Sequence, residues 1–172
     1  MGIKEVIETI NRMQTDGVIE RYAIGGAVGA TFYIEPAATF DVDVFVQREH
    51  GVRGRRRVDC IGRVVTRPSD WEIASHYVVI AGWPVQFLPV GDGLAKEALA
   101  QAAQRDVEGI SSSVFTAEHI AAIALQTGRA KDKARVLQFI EADALDLKKF
   151  NEIIARHDLT GRWEQFERQF LK

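Results

Sequence analysis

The chain is poor in cysteine and contains no long apolar run. Its 172 residues include a single cysteine, Cys60, which excludes an internal disulfide framework and a multi-cysteine zinc site and is typical of a reducing compartment. No segment approaches the roughly 18 consecutive apolar residues of a membrane-spanning helix. The residues after Met1 lack the apolar core of a secretory signal. We therefore expect a cytoplasmic protein that has no membrane partner.

The chain also lacks a large net charge. Its formal net charge is −2, so any contact with nucleic acid has to depend on a local cluster of basic residues. The G-x-S-x-G elbow, the Walker A pattern and the G-x-G-x-x-G fingerprint are absent, so none of the sites that they mark is predicted. The length suits one α/β domain, or a small core with a helical appendage.

Two aspartates are spaced for one face of a strand. Residues 40–47 read Phe-Asp-Val-Asp-Val-Phe-Val-Gln, and a strand here points Asp41 and Asp43 to one side while Val42 and Val44 point into a core. Two carboxylates on one strand face repel each other and lose hydration, which a divalent cation between them relieves. The spacing therefore predicts a metal site.

Two glycines precede the aspartates. Residues 21–24 predict a short apolar strand, and Gly25 and Gly26 lead from it into a small apolar helix over residues 27–33. Glycine lets backbone amides come close to a ligand, and the positive end of a helix favours an anion. An anion site that faces a cation site is what a metal-bound nucleoside triphosphate requires. We therefore predict that Gly25 and Gly26 bind nucleotide.

The remaining pattern predicts an α+β fold, in which a small mixed β-sheet with packed helices is followed by a helical C-terminal part. Apolar spacing predicts further helices over residues 3–16, 55–65 and 93–104, and a hairpin with strands 76–81 and 84–90. We interpret residues 106–113 as a polar connector. They suggest a domain boundary between a core of residues 1–108 and a helical subdomain of residues 109–172. Helix ends in that subdomain are predicted at Thr116, Gly128, Asp146 and Thr160.

Two basic clusters are candidates for phosphate binding. The first, residues 48–57, reads Arg-Glu-His-Gly-Val-Arg-Gly-Arg-Arg-Arg, and the second is Arg129-Ala130-Lys131-Asp132 at the start of a predicted helix. The first cluster could contact a triphosphate or RNA, and either cluster could instead be a solvated helix start. The sequence leaves both interpretations open.

These motifs resemble a known superfamily. Gly25-Gly26 followed by Asp41-x-Asp43 resembles the signature of the nucleotidyltransferases that include DNA polymerase β, although the spacer between the motifs is slightly longer here. Arg129-x-Lys131-Asp132, after an alanine-rich helix, resembles the basic motif of the AbiEii-like nucleotidyltransferases of abortive-infection and toxin–antitoxin systems. In those proteins the cationic residues face the active site and contact nucleotide phosphates. The likeness covers most of the chain.

One position departs from the superfamily pattern. A third carboxylate commonly projects from a later strand, where this chain offers Gln86. A glutamine can lend its amide oxygen to a metal, but it carries no charge and accepts protons poorly. Either Asp41, Asp43 and the triphosphate hold the metal, or Asp92 joins them, or catalysis is weak. Gln86 could also be a half-exposed strand residue without a role.

The resemblance implies an enzyme that binds Mg²⁺ or Mn²⁺ and a nucleoside triphosphate, and that transfers a nucleoside monophosphate to an acceptor hydroxyl of RNA, a protein or a small molecule. It assigns the metal and catalysis to Asp41 and Asp43, with Gln86 as an optional ligand. It assigns nucleotide binding to Gly25, Gly26, Arg129 and Lys131. The alternative is a non-catalytic module that binds nucleotide or RNA through a degenerate site, as part of a toxin–antitoxin system.

Overall fold

The computed structural model describes residues 2–39, 41–47, 73–74, 77–91 and 93–171. The helix predicted over residues 55–65, the basic stretch 48–57 and Asp92 lie outside these described residues.

Helices and strands alternate irregularly along the described chain. The helices are α1 Ile3–Thr15, α2 Gly26–Ala30, α3 Leu94–Ala100, α4 Ala117–Thr127, α5 Ala130–Glu141, α6 Leu147–Arg156 and α7 Thr160–Phe170. The strands are β1 Tyr22–Ile24, β2 Val42–Gln47, β3 Ile73–Ala74, β4 Tyr77–Ile80, β5 Trp83–Val90, β6 Ala103–Val107 and β7 Ile110–Val114.

The strands form one mixed sheet in the order β3-β4-β5-β2-β1-β7-β6. Strand β2 lies at its centre, parallel to β5 and antiparallel to β1, and β1 is parallel to β7. The predicted hairpin is present as β4 and β5, which pair antiparallel around Ala81 and Gly82. The predicted α+β class, with a mixed sheet and a helical C-terminal part, is confirmed.

The two faces of the sheet are covered by different helices. Helix α1 buries Val6, Ile7, Ile10 and Met13 in a cluster that also contains Val42 and Val44 of β2. Helices α3 to α7 supply a second cluster, which packs around Ala23, Val90 and Phe115. Because side chains alternate along a strand, residues of β2 that are not in the first cluster face the C-terminal helices.

The polar connector predicted over residues 106–113 is wrong, because β6 and β7 form an antiparallel hairpin there. The predicted helix over residues 93–104 ends at Ala100 for the same reason. Strand β6 lies at the edge of the sheet and exposes its polar residues, so its sequence has the composition of a loop. Glu108 and Gly109 have positive φ in the turn between the strands, and this turn contains the predicted boundary at 108/109. The division into two domains stays a prediction.

The capping residues agree with the sequence at three of four helix ends. Thr116 accepts a bond from the His119 amide, Gly128 takes the left-handed conformation, and Asp146 accepts bonds from the Lys148 and Lys149 amides in the first turn of α6. Thr160 is the exception, because α7 begins at that residue and its N-cap is Leu159. None of the described helices has both the length and the apolar character needed to cross a bilayer.

Candidate functional site

The two aspartates lie at the start of the central strand, on the face that meets the C-terminal helices. Val42, Val44 and Val46 are buried on the α1 side. The alternate residue Phe45 packs its ring against Phe115, with 4.7 Å between ring centroids. Asp43 shares the face of Phe45 because the two residues are two apart on one strand. Asp41 directly precedes the strand, and its Oδ1 accepts a 3.2 Å hydrogen bond from the Thr39 hydroxyl.

The pKa of Asp43 is raised, first by burial and then by the negative charge of Asp41. Both effects disfavour the ionised carboxylate. The positive charges of Lys131, Arg135 and Arg129 act in the opposite direction and lower this pKa. The predicted pair of carboxylates is therefore close enough to interact, and it lies in the field of three cations from α5 and its N-cap.

Gly26 is confined by the Asp43 carboxylate. Its φ is +59°, in the left-handed region that favours glycine. A Cβ built on it would overlap the Asp43 carboxylate oxygen. Gly25 donates its amide to the Asp43 carbonyl at 3.0 Å, and a Cβ there would lie 2.6 Å from the Phe45 ring. Both glycines thus allow the β1–α2 turn to pass directly against β2.

Gln86 is the neighbour of Asp43 in the sheet. Strands β2 and β5 are parallel, and Asp43 is paired with Gln86 in their register, so both side chains project from the same face. Gln86 is half-buried. The structure thus brings the predicted glutamine beside the predicted carboxylate.

The basic motif lies where the polypeptide enters α5. Arg129 is the N-cap of this helix and Lys131 lies in its first turn. The pKa of Arg129 is raised chiefly by its hydrogen bond to Asp132, and also by the charges of Asp43 and Asp41. Lys131 in turn lowers the pKa of Asp43. Arg129 and Lys131 therefore both act electrostatically on the aspartate strand.

A divalent cation fits the donors that this face presents. Mg²⁺ is usually held by one or two carboxylates together with substrate phosphates, and Asp41 and Asp43 supply two carboxylates whose repulsion a cation would relieve. Gln86 adds an amide oxygen. The described residues contain no group of three or more histidine, cysteine, aspartate or glutamate side chains placed to hold a metal ion, so a third acidic ligand is not found among them.

The sequence did not predict the arrangement of two charged residues of α5, Asp132 and Arg135. Asp132 pairs with both Arg129 and Arg135. Among the described residues, Asp132 is one of three buried polar or charged residues, with 1% exposure. Arg129 Nε donates to its Oδ2 at 2.6 Å, and Arg135 donates to its Oδ1 at 3.4 Å. The three-residue spacing on one helix could have indicated these pairs, but it does not reveal that the carboxylate is buried.

A second charged cluster, which we call the glutamate clamp, consists of Glu97, His119, Arg156 and His157. Glu97 accepts bonds from Arg156 at 2.6 Å, from His157 at 2.7 Å and from His119 at 3.4 Å. The bond from Arg156 is the main reason that the pKa of Glu97 falls to about 2. The clamp borders a cavity of about 650 Å³, and it joins α3 to α4 and to the end of α6.

Comparison with solved structures agrees with this architecture. The chain superposes on a protein from Paracoccidioides brasiliensis described as an antigenic nucleotidyltransferase-like protein, with a TM-score of 0.53 and 15% sequence identity. The match covers 92% of this chain and 90% of the other. The fold is nucleotidyltransferase-like. No family model matches the chain, and the search of curated proteins gives no match.

Proposed function

We propose that this chain is a metal-dependent nucleotidyltransferase, which moves a nucleoside monophosphate from a nucleoside triphosphate to an acceptor hydroxyl. The observation that carries the proposal is the meeting of two parts of the chain: the Asp41–Asp43 pair at the start of β2 lies in the electrostatic field of Arg129 and Lys131. Carboxylates that repel each other beside fixed cations suit a metal-bound polyphosphate. The nucleotidyltransferase-like fold is consistent with this chemistry.

In the proposed reaction the acceptor oxygen forms a bond to the α-phosphorus, the bond to pyrophosphate breaks, and the hydroxyl proton is released. Asp41 and Asp43 would hold Mg²⁺ or Mn²⁺, which supplies charge neutralisation for the phosphates and acidifies the attacking hydroxyl. Arg129 and Lys131 would neutralise the charge that builds on the leaving pyrophosphate. Gly25 and Gly26 would keep the backbone beside Asp43 free of side chains, so that phosphates can approach it.

The test is label transfer from each of the four nucleoside triphosphates, with Mg²⁺ or Mn²⁺ and with total RNA or protein as acceptor. Label at the α-phosphate should appear on an acceptor, whereas label at the γ-phosphate should not. The Asp43→Asn variant is the control for contaminating activity. Transfer of γ-label alone would instead indicate a kinase-like reaction and would contradict the proposal.

The second candidate function is a binding module without catalysis. It is favoured by Gln86, which stands beside Asp43 in the sheet register where the superfamily commonly has a third carboxylate. Such a module would bind a triphosphate or RNA with no transfer of label. Calorimetry with a triphosphate, run beside the transfer assay, separates the two candidates because it detects binding whether or not transfer follows.

The finer assignment to the AbiEii-like proteins is also a proposal. It is supported by Arg129, Lys131 and Asp132, which lie at the start of a helix whose cations act on the aspartates. If the chain is the toxin of a toxin–antitoxin pair, its expression should arrest growth, and the product of a neighbouring gene should relieve the arrest. Growth arrest that persists in the Asp43→Asn variant would show that arrest does not depend on the proposed site.

A further inference from the structure

Asp132 is a buried carboxylate that binds two arginines. Its side chain is 2% exposed, and it pairs with Arg129 on one side and Arg135 on the other. Removing one partner from a buried ion pair is strongly destabilising, because it leaves an uncompensated charge. The buried carboxylate is thus a shared partner of both guanidinium groups, at 2.6 Å from Arg129 and 3.4 Å from Arg135.

The two arginines differ in exposure. The Arg129 side chain is 60% exposed and the Arg135 side chain is 13% exposed. Arg129 uses Nε and one terminal nitrogen for Asp132, whereas Arg135 uses a single terminal nitrogen at 3.4 Å. Since a guanidinium carries five N–H donors, the hydrogen bonds among the described residues leave donors of both arginines for a ligand.

The cations of α5 and its N-cap fall into two groups. Three of them act on Asp43 through their positive charges, namely Lys131, Arg135 and Arg129. Lys133 belongs to the same helix, but its ammonium lies 5.9 Å from the ring centroid of Phe170. Lys133 therefore contacts α7 and offers a matched control for the loss of one positive charge from this helix.

We propose that Asp132 is a positioning residue that holds Arg129 and Arg135 toward Asp41 and Asp43, and that Arg135 is a further contact for the triphosphate group of the substrate. This inference rests on the proposed function. It adds to that function a substrate contact, Arg135, that no motif in the sequence marks. Arginine suits this role because its planar fork can bind a phosphate through two hydrogen bonds.

The test uses inorganic tripolyphosphate with Mg²⁺ as the probe, so that neither catalysis nor the identity of the base matters. Calorimetry should show that Arg135→Gln weakens binding by roughly 10- to 150-fold, the range expected for a hydrogen bond to a charged group. Lys133→Gln should bind within about twofold of wild type, because changes remote from a binding site have small effects. Equal losses in the two variants would overturn the assignment of Arg135.

A double-mutant cycle tests the positioning role of Asp132. If Asp132→Asn acts through the arginines, its effect on tripolyphosphate binding should shrink in the Arg135→Gln background. Additive losses would overturn the positioning role. Circular dichroism and melting curves report whether Asp132→Asn folds. If Asp132→Asn does not fold, the comparison of Arg135→Gln with Arg135→Lys decides whether Arg135 contacts the phosphates. The lysine variant keeps the charge and should recover part of the affinity.

Different outcomes separate this inference from the proposed function. A wild-type protein that transfers α-label and binds tripolyphosphate, together with an Arg135→Gln variant that binds it equally well, would overturn the inference alone. A wild-type protein that transfers no label but binds tripolyphosphate in an Arg135-dependent manner would overturn the enzyme proposal and support the inference. Failure of the wild type to bind tripolyphosphate would overturn the inference.

Discussion

Two clusters of charged residues in the described part of the chain have opposite effects on the pKa of their central carboxylate. In the glutamate clamp, Glu97 is held by Arg156, His157 and His119, and its pKa falls to about 2. At the aspartate strand, the pKa of Asp43 is raised by burial and by Asp41. A carboxylate with its own hydrogen-bond donors stabilises a fold. A carboxylate kept half-buried beside a second negative charge is poised for a ligand instead.

We propose that ligand binding depends on the aspartate strand and that the glutamate clamp contributes to stability. The clamp joins helices that are distant in sequence, since Glu97 lies on α3 and its partners lie on α4 and at the end of α6. The aspartate strand is fixed by the apolar residues that alternate with its carboxylates. We therefore expect substitutions in the clamp to lower stability and substitutions at the aspartates to lower activity.

The largest expected effect is that of Asp43→Asn. The variant loses one of the two carboxylate charges that would bind the cation. Label transfer should fall by about 100- to 1,000-fold, as it does when a group that stabilises transition-state charge is removed. The melting temperature should be unchanged or slightly higher, because the half-buried Asp43 carboxylate is repelled by Asp41. Asp16→Asn, on the exposed surface, is the matched control. Wild-type transfer by Asp43→Asn would contradict the assignment of this strand.

The next effect is that of Gly26→Val. The new side chain would displace the Asp43 carboxylate, and a small displacement of a catalytic group can lower activity by about 100-fold. Gly17→Val is the control, since Gly17 also has positive φ, +69°, but has open space around it. The positive φ should cost each variant about 1–2 kcal/mol of stability, and Gly26→Val should lose more because its side chain overlaps Asp43. Only Gly26→Val should lose triphosphate binding. Equal binding by the two folded variants would refute the role that we assign to Gly26.

Much of the aspartate site could be predicted from local sequence. Asp41 and Asp43 alternate with valines, and this period places both carboxylates on one face without knowledge of the rest of the chain. The two glycines mark a turn that a side chain would obstruct. The residue that the glycines contact could not be predicted from the sequence, because the contact between Gly26 and Asp43 depends on the pairing of β1 with β2.

The features that the sequence did not predict share a physical cause, because the burial and pairing of a residue depend on residues that are distant in the sequence. Strand β6 has a polar sequence because it lies at the edge of the sheet, so alternation gave no signal there. Asp132 resembles an ordinary residue of a first helical turn, and its burial arises from packing against the rest of the protein. Glu97 and His157 are 60 positions apart, and no local pattern connects them.

A smaller effect is expected in the clamp. Glu97→Gln removes the charge that three donors share and should lower the free energy of unfolding by about 1–3 kcal/mol. Label transfer by the folded fraction should remain near the wild-type level. Chemical denaturation measures the first quantity, and a transfer assay corrected for folded protein measures the second. Glu152→Gln, which alters another side chain at the same cavity, is the control. Loss of transfer without loss of stability would reverse the roles that we assign to the two clusters.

The smallest expected effect is the pH dependence that the clamp confers. The pKa of Glu97 is about 2 in the folded protein against 4.5 as its ordinary value. The unfolded chain therefore binds more protons between these values, and stability falls as the pH drops from 4.5 toward 2. Burial lowers the pKa of His119 from 6.5, so the unfolded chain again binds more protons and stability also falls just below pH 6.5.

Melting curves should show both declines in the wild type. Glu97→Gln should lose the lower one, which is worth about 1 kcal/mol at pH 3 after allowance for solvent screening, and should keep the decline near pH 6.5. Parallel curves for the two proteins below pH 4.5 would mean that Glu97 is not held ionised by its partners.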